Sequence, residues 1–357
     1  MTHHRSLAAL GWSPWFAEQL RARGEAESSV ARVAAVDREQ LLLLDDTGAF
    51  RARLAGRLVH ASSSPADLPC VGDWVVVERS PDDSAGRVRE LLTRRTSLRR
   101  RAAGEVVELQ MIAANVDVVL VVQSCHYDFN LNRLERYLVM IREGGAIPWV
   151  LLTKTDRVEP EAVEEQVAQI RSSSNDLPVL TLSNVTHEGL SALEGRLEPG
   201  KTYCFVGSSG VGKSTLINKL LGRDLLGTGV VSGTGEGRHT TVRRELVVLA
   251  NGALVIDNPG MRELGVLGAG DGLAASFADI DERAGRCRFR DCTHTGEPGC
   301  AVQEAVASGE VAAGHYESYR KLSRESAFHE LSYAEKRKKD KAFGRFVKSV
   351  KKDLGRD

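Results

Sequence analysis

Residues Gly207-Ser208-Ser209-Gly210-Val211-Gly212-Lys213-Ser214 follow five residues of strand character, Thr202-Tyr203-Cys204-Phe205-Val206. They run into Thr215-Leu216-Ile217-Asn218-Lys219-Leu220-Leu221, whose pattern reads as a helix. Strand, glycine loop, Lys-Ser and helix form the phosphate-binding arrangement G-x-x-x-x-G-K-[ST] in the context it requires. The glycines let successive backbone N–H groups turn toward one centre, and the helix N-terminus adds its positive end there. Lys213 is placed to reach the β- and γ-phosphates of a nucleotide, and Ser214 to offer Mg²⁺ a hydroxyl oxygen. Gly207 through Thr215 are therefore read as nucleotide-binding. The four fixed positions arise by chance in about one to two per cent of chains of this length, and the flanking strand and helix lower that further.

A loop of this kind needs a parallel sheet behind it, and the sequence supplies one. Val116 to Val122 is a continuous apolar run, as a strand buried on both faces should be. Leu134, Leu138 and Ile141 recur at helical spacing within 131–142. Strands at 147–152 and 178–182 alternate with helices at 160–170 and 188–197, and further strands at 245–249 and 253–256 follow the phosphate loop. This predicts a doubly wound α/β domain.

Two more motifs fall at C-terminal ends of these strands, where such folds bind ligands. Thr153-Lys154-Thr155-Asp156 resembles the N-K-x-D motif of GTPases, with Thr in place of Asn. A carboxylate at Asp156 accepts from guanine N1–H and N2–H₂, donors that adenine lacks in that arrangement, and the Lys154 stem can lie along the base. Ser183-Asn184, after the third strand, sits where a main-chain N–H meets guanine O6. Asp257-Asn258-Pro259-Gly260 resembles D-x-x-G, in which Asp257 holds Mg²⁺ through water and the Gly260 N–H senses the γ-phosphate; a plain turn is the alternative. The polar, Gly-rich 227–241 between them reads as a switch loop, in which Thr240 or Thr241 completes the Mg²⁺ shell. Met261 stands where Ras-like enzymes carry a water-orienting glutamine, and a thioether cannot do that. His239 is the candidate for placing the water, with an ordinary solvent-facing histidine as the alternative.

The guanine motif precedes the phosphate loop, the reverse of ordinary GTPases, so the domain reads as circularly permuted. Rejoining termini that lie close in space leaves such a site intact.

On either side the pattern changes. Residues 1–29 form a leader in which Leu7, Leu10, Trp15, Phe16 and Leu20 line one helix face. About five short strands between Val30 and Leu98, with Gly56 as a bulge, predict a small barrel of the oligonucleotide-binding (OB) or SH3-like type. Arg94, Arg95, Arg99, Arg100 and Arg101 follow, read as a solvated linker or a phosphate-contacting segment. C-terminally, Cys287, Cys292, His294 and Cys300 supply three thiolates and an imidazole, a complete donor set for a structural Zn²⁺. Residues 336–352 hold nine Lys or Arg against Asp340, a solvated tail or an RNA-contacting one.

Composition adds exclusions. Lys plus Arg and Asp plus Glu are both 48, so net charge selects no partner, although the basic residues cluster. No apolar run approaches the roughly 20 residues that span a bilayer, and the first residues carry no secretory signal. The expectation is a cytoplasmic monomer that needs no membrane.

The permuted order combines with Gly237-Arg238-His239-Thr240-Thr241, Asp257-Asn258-Pro259-Gly260-Met261-Arg262-Glu263-Leu264 and Cys287…Cys292-Thr293-His294…Glu297-Pro298-Gly299-Cys300. Together they resemble the bacterial ribosome small-subunit-dependent GTPase A family over about residues 30–352. The resemblance implies an α/β circularly permuted P-loop GTPase at 101–270, an N-terminal all-β OB-type barrel at 30–100 and a small helical zinc module with a basic tail at 271–357. It implies GTP hydrolysis stimulated by the 30S subunit, late in that subunit's assembly, with 16S rRNA as partner and Mg²⁺ and one Zn²⁺ as cofactors. Two other readings stay open at this stage: a GTP-dependent switch acting on a protein partner, and an RNA-binding structural protein with a weak nucleotide site.

Overall fold

Short strands build the first part of the chain. The computed structural model describes residues 6–37, 40–79, 85–101, 109–173, 177–222, 244–257 and 270–330. A helical turn at Leu7–Leu10 and helix α1 (Pro14–Ala22) lead into β1 (Val30–Val36), β2 (Leu41–Asp45), β3 (Gly48–Leu54), helix α2 (Gly56–Ala61), β4 (Trp74–Glu78) and β5 (Gly86–Leu91). The strands pair in the order β1-β2-β3-β5-β4, and β4 returns to β1 with Val30 opposite Val76, so the barrel closes. Closure removes the sheet edges that a five-stranded sheet would otherwise expose. Ala31, Val33, Leu43, Ala52, Val75 and Val88 fill its interior. The Asp45–Gly48 turn forms because the Asp45 carboxylate accepts from the Thr47 and Gly48 N–H groups at 2.8 and 3.0 Å. Gly56 is not a bulge: it opens α2, so the strand ends at Leu54.

The leader packs on the outer face of this barrel. Leu10, Phe16 and Leu20 are each 1% exposed, and Trp12 meets the fully buried Trp74 edge-on at 4.7 Å. Arg94 is neither linker nor free cation: its guanidinium chelates Asp73 at 2.9 and 2.8 Å and bonds the Ala66 and Leu68 carbonyls. Arg95 pairs with Asp117, and Arg99, Arg100 and Arg101 lie in β6 (Ser97–Arg101), which pairs antiparallel with β7 (Leu109–Ala114).

Next come β8 (Val118–Ser124), α3 (Leu131–Glu143), β9 (Ile147–Thr153), α4 (Pro160–Ser173), β10 (Val179–Leu182), α5 (Leu190–Glu194), β11 (Thr202–Val206), α6 (Lys213–Leu221), β12 (Glu245–Val248) and β13 (Leu254–Asp257). Their order in the sheet is β10-β9-β8-β11-β13-β12, with the first five parallel and β12 antiparallel to β13. β8 is buried along its whole length, as its unbroken apolar run requires. The chain leaves β8 toward β9 and β10 and returns on the opposite side as β11. The crevice between the C-terminal ends of β8 and β11 is therefore the topological switch point. On its far edge β12 pairs with barrel strand β1, Ala35 opposite Glu245, so barrel and α/β domain share one sheet.

Buried Arg32 pins the junction. Its guanidinium donates to the Leu10 carbonyl of the leader, to Gly72 O at 3.2 Å in the barrel, to Asn115 O at 3.0 Å before β8 and to Thr202 Oγ1 at 2.8 Å on β11. Burial lowers its pKa from 12.5 to about 10, and Asp117 only partly opposes this, so the group remains charged at neutral pH.

Contacts divide the chain into Met1–Leu264 and Gly265–Asp357. The second unit has helices α7 (Gly270–Ser276), α8 (Ala278–Ala284), α9 (Ala301–Ala307) and α10 (Ala313–Glu330), packed around Phe277, Ile280, Val302 and Leu322.

Candidate functional site

The phosphate loop leaves β11 at the switch point and enters α6 at Lys213. Gly207, at φ +143°, passes so close to β8 that a Cβ would lie 2.2 Å from the Val122 carbonyl oxygen. No other residue fits there. The Lys213 side chain is 6% exposed and curls back over the loop, its ammonium donating to Gly207 O at 2.8 Å and Ser208 O at 2.6 Å. Burial pushes its pKa down from 10.5 to about 8, against the pull of the Asp257 and Asp128 carboxylates. An anion bound in the loop would reverse that penalty, because it supplies the opposite charge the buried ammonium lacks. Ser214 and Thr215 lie half-buried in the first turn of α6, and Ser209 and Val211 are buried in the loop itself.

Three successive carbonyls of this loop are each held by a different neighbouring segment. Gly210 O accepts from the Tyr127 hydroxyl at 2.8 Å, beyond β8. Val211 O accepts from Thr153 Oγ1 at 2.6 Å, at the end of β9. Gly212 O accepts from Asn184 Nδ2 at 3.1 Å, beyond β10. With its carbonyls drawn outward, the peptide planes of the loop are fixed, and so are the N–H groups on their other sides. Thr153 thus supplies the tie to the phosphate loop that its position requires, with a hydroxyl in place of an amide.

Lys154 follows in the left-handed region, φ +60°, and its ammonium bonds the Tyr127 hydroxyl at 3.0 Å. Thr155 opens the turn Thr155–Arg157. Asp156 is anchored by the Ser183 hydroxyl at 2.5 Å, and Ser183 also accepts from the Val185 and Thr186 N–H groups. The structure therefore gathers 153–156, 183–184 and 207–215 at one end of the sheet. Asp257, 2% exposed, ends β13, where its Cα pairs with that of Phe205 on β11. His239, Thr240, Thr241 and Gly260, with Met261 and the basic tail, lie outside the described residues.

Sequence reasoning passed over the segment after β8. Tyr127 touches both the phosphate loop and Lys154. Asp128 is buried, ion-paired with Arg133 at 2.7 Å, and its pKa is raised by desolvation despite Arg133. No motif marks these residues. The signal available was positional: they end a strand that borders the switch point.

In the second unit Cys287, Cys292, His294 and Cys300 place one ligand atom each within 4.8 Å of one another. Cys287 and Cys300 sulfurs are 3.9 Å apart, and each is 3.5 Å from His294 Nδ1. Tetrahedral zinc, with Zn–S of about 2.3 Å and Zn–N of about 2.0 Å, needs sulfur–sulfur edges of about 3.8 Å and sulfur–nitrogen edges of about 3.5 Å. The donor set fits. The loop is braced around it: Gln303 Nε2 donates to His294 O at 2.7 Å, Cys300 caps α9 through Gln303 N, and Glu297 accepts from the Thr293 and Thr295 N–H groups.

Comparison with known proteins agrees with this geometry. A family model described as RsgA GTPase matches residues 91–267. A protein of Opitutus terrae named small ribosomal subunit biogenesis GTPase RsgA is 42% identical over 333 residues, 90% of each chain. YjeQ from Thermotoga maritima superposes with a TM-score of 0.61 at 25% identity, over 82% of this chain and 96% of that one. YloQ, described as a circularly permuted GTPase, gives 0.59 at 25% identity, over 85% of this chain and 96% of its own.

Proposed function

We infer the role of this chain from the premise that it belongs to the RsgA GTPase family: it is a GTPase, a circularly permuted one, and it serves small ribosomal subunit biogenesis. The single observation that carries the reading beyond family membership is the triple anchoring of the phosphate-loop carbonyls by Tyr127, Thr153 and Asn184. It couples the base-recognition side of the pocket to the phosphate side.

The roles we assign follow from placement. Backbone N–H groups of 207–214 and the Lys213 ammonium take the β- and γ-phosphates, and Asp156 takes the guanine edge with Lys154 along the base. A main-chain N–H of the Ser183-Asn184 loop faces guanine O6, while the Asn184 amide itself holds Gly212. Ser214 and Asp257, with Thr240 or Thr241, hold Mg²⁺; the ion family members use supplies charge stabilisation at the phosphates. The Gly260 N–H reads the γ-phosphate and His239 orients the attacking water. Preorganised donors and fixed positions do most of the catalytic work, since phosphoryl transfer asks little covalent chemistry of the protein. Cys287, Cys292, His294 and Cys300 hold one structural Zn²⁺; with four protein ligands no position is left for water. The barrel and the basic tail contact 16S rRNA, and the protein acts as a cytoplasmic monomer on the 30S subunit.

Phosphate release from GTP, measured with and without purified 30S subunits, tests this. A slow intrinsic rate that rises severalfold or more with subunits is expected. An unchanged rate, or equal binding of GDP and ADP by calorimetry, refutes it.

A further inference from the structure

Residues 125–130 belong to none of the recognised motifs, yet they are built as a rigid part of the pocket wall. The Gln123 side chain closes the segment like a clasp, accepting from Asn130 N and donating to Asn130 O, each at 3.1 Å. Asn130 in turn caps α3 through Arg133 N at 2.9 Å, and Cys125 N bonds Thr153 O at 2.9 Å. From this frame Tyr127 reaches over the phosphate loop. It is 48% exposed, so core packing does not account for its position. Its hydroxyl has one proton to give, and Gly210 O takes it; its lone pair accepts from Lys154 Nζ at 3.0 Å. The ammonium also lies 4.5 Å from the centroid of the Tyr127 ring. The relay therefore has one direction, from Lys154 through Tyr127 to Gly210.

We propose that Tyr127 is a positioning residue for guanine-nucleotide binding: it fixes the Lys154 ammonium at the base-and-ribose end of the pocket and ties it to the phosphate loop. The proposal rests on the reading of Lys154 and the phosphate loop given above. A lysine has four rotatable side-chain bonds, and its charge would otherwise be spread over many positions in the empty site. Held by the phenol from one side and the ring face from another, it meets the nucleotide already placed, and less ordering is left to be done on binding.

Tyr127→Phe removes one oxygen and keeps the ring, so the fold and the cation–π contact persist while both hydrogen bonds go. Calorimetric titration of the full chain should show GDP and GTP binding weakened alike, by about tenfold, the scale of one lost charge-assisted hydrogen bond. In the Lys154→Ala background the same change should cost at most about threefold, the share carried by the bond to Gly210 O, because the ammonium that Tyr127 holds is gone. Tripolyphosphate, which lacks base and ribose, senses only the Gly210 tie, so Tyr127→Phe should weaken it by at most about threefold against the roughly tenfold expected for GDP; a role through Gly210 alone would weaken both equally. Nucleotide affinity equal to wild type, a loss fully additive with Lys154→Ala, or an equal loss for tripolyphosphate overturns the proposal. Wild-type protein that binds no guanine nucleotide overturns the GTPase reading itself, and this proposal with it.

Discussion

Replacing Arg32 by Met should loosen the junction of leader, barrel and α/β domain by about 3 kcal/mol. The estimate sets two opposed effects against each other. Methionine keeps most of the length and the apolar stem but strands three acceptors, the carbonyls of Leu10 and Asn115 and the Thr202 hydroxyl, while Gly72 O keeps its bond from Asn115 Nδ2 at 3.1 Å. At about 2 kcal/mol for each of these acceptors left unmet in the interior, the loss is about 6 kcal/mol. Removing the guanidinium also relieves its own burial. The fall of its pKa from 12.5 to about 10 corresponds to about 3 kcal/mol against the charged form, and that is regained. The difference favours wild type by about 3 kcal/mol, which at a urea slope of about 3 kcal/mol per molar moves the midpoint down by about 1 M. Tryptophan fluorescence reports it directly, because Trp12 and Trp74 sit in the packed seam beside Arg32. Arg32→Lys should recover only part of the loss, since one ammonium does not span these acceptors. A midpoint within about 0.2 M of wild type for Arg32→Met, well under the shift expected from that slope, would show that the buried cation is tolerated and not structural.

Further expectations concern the pocket and the second unit. Lys213, lowered by burial to about 8, should regain its proton when a nucleotide binds, so calorimetry near pH 9 in buffers of different ionisation heat should show proton uptake that is absent in Lys213→Ala. Between the folded pKa of Lys213 and the ordinary 10.5 the unfolded chain holds more protons, so the stability contribution of Lys213 rises with pH across that window. Thr153→Val, which keeps the shape and removes the bond to Val211 O, should weaken GDP about five- to tenfold, and Thr153→Asn should bind at least as well as Val; equal affinity for wild type and Thr153→Val would count against the tie. Metal analysis should find one zinc per chain, and chelation should expose Cys287, Cys292 and Cys300 to thiol reagents while helical signal falls; cysteines that react fully before chelation would contradict the site.

What could be read in the sequence was what lies close together along it. The phosphate loop, 153–156 and the three cysteines with His294 are short-range patterns whose residue types have few other uses. Pairings between distant residues left no such trace. Arg94 looked like one member of a basic run, but its partner Asp73 lies 21 residues earlier, and that ion pair decides its role. Gly56 sat in an apparent strand, yet α2 begins there, because local alternation does not reveal where the barrel must turn a corner. Leu109–Ala114 became β7 only through pairing with β6. Tyr127 was invisible for a related reason: its importance comes from the side of β8 on which β11 returns, a fact of sheet order. His239, Thr240, Thr241 and Gly260 keep the roles proposed for them on motif grounds alone.

The pairing of Ala35 with Glu245 has an engineering consequence. Shortening this protein to its nucleotide domain by removing the barrel would not be a clean cut at a tether. It would strip β12 of the neighbour that pairs with it at Glu245 and bare that end of the strand, a template for sticking to another copy. Trimmed versions should be expected to clump, and a soluble one would need that flank rebuilt with charge or proline.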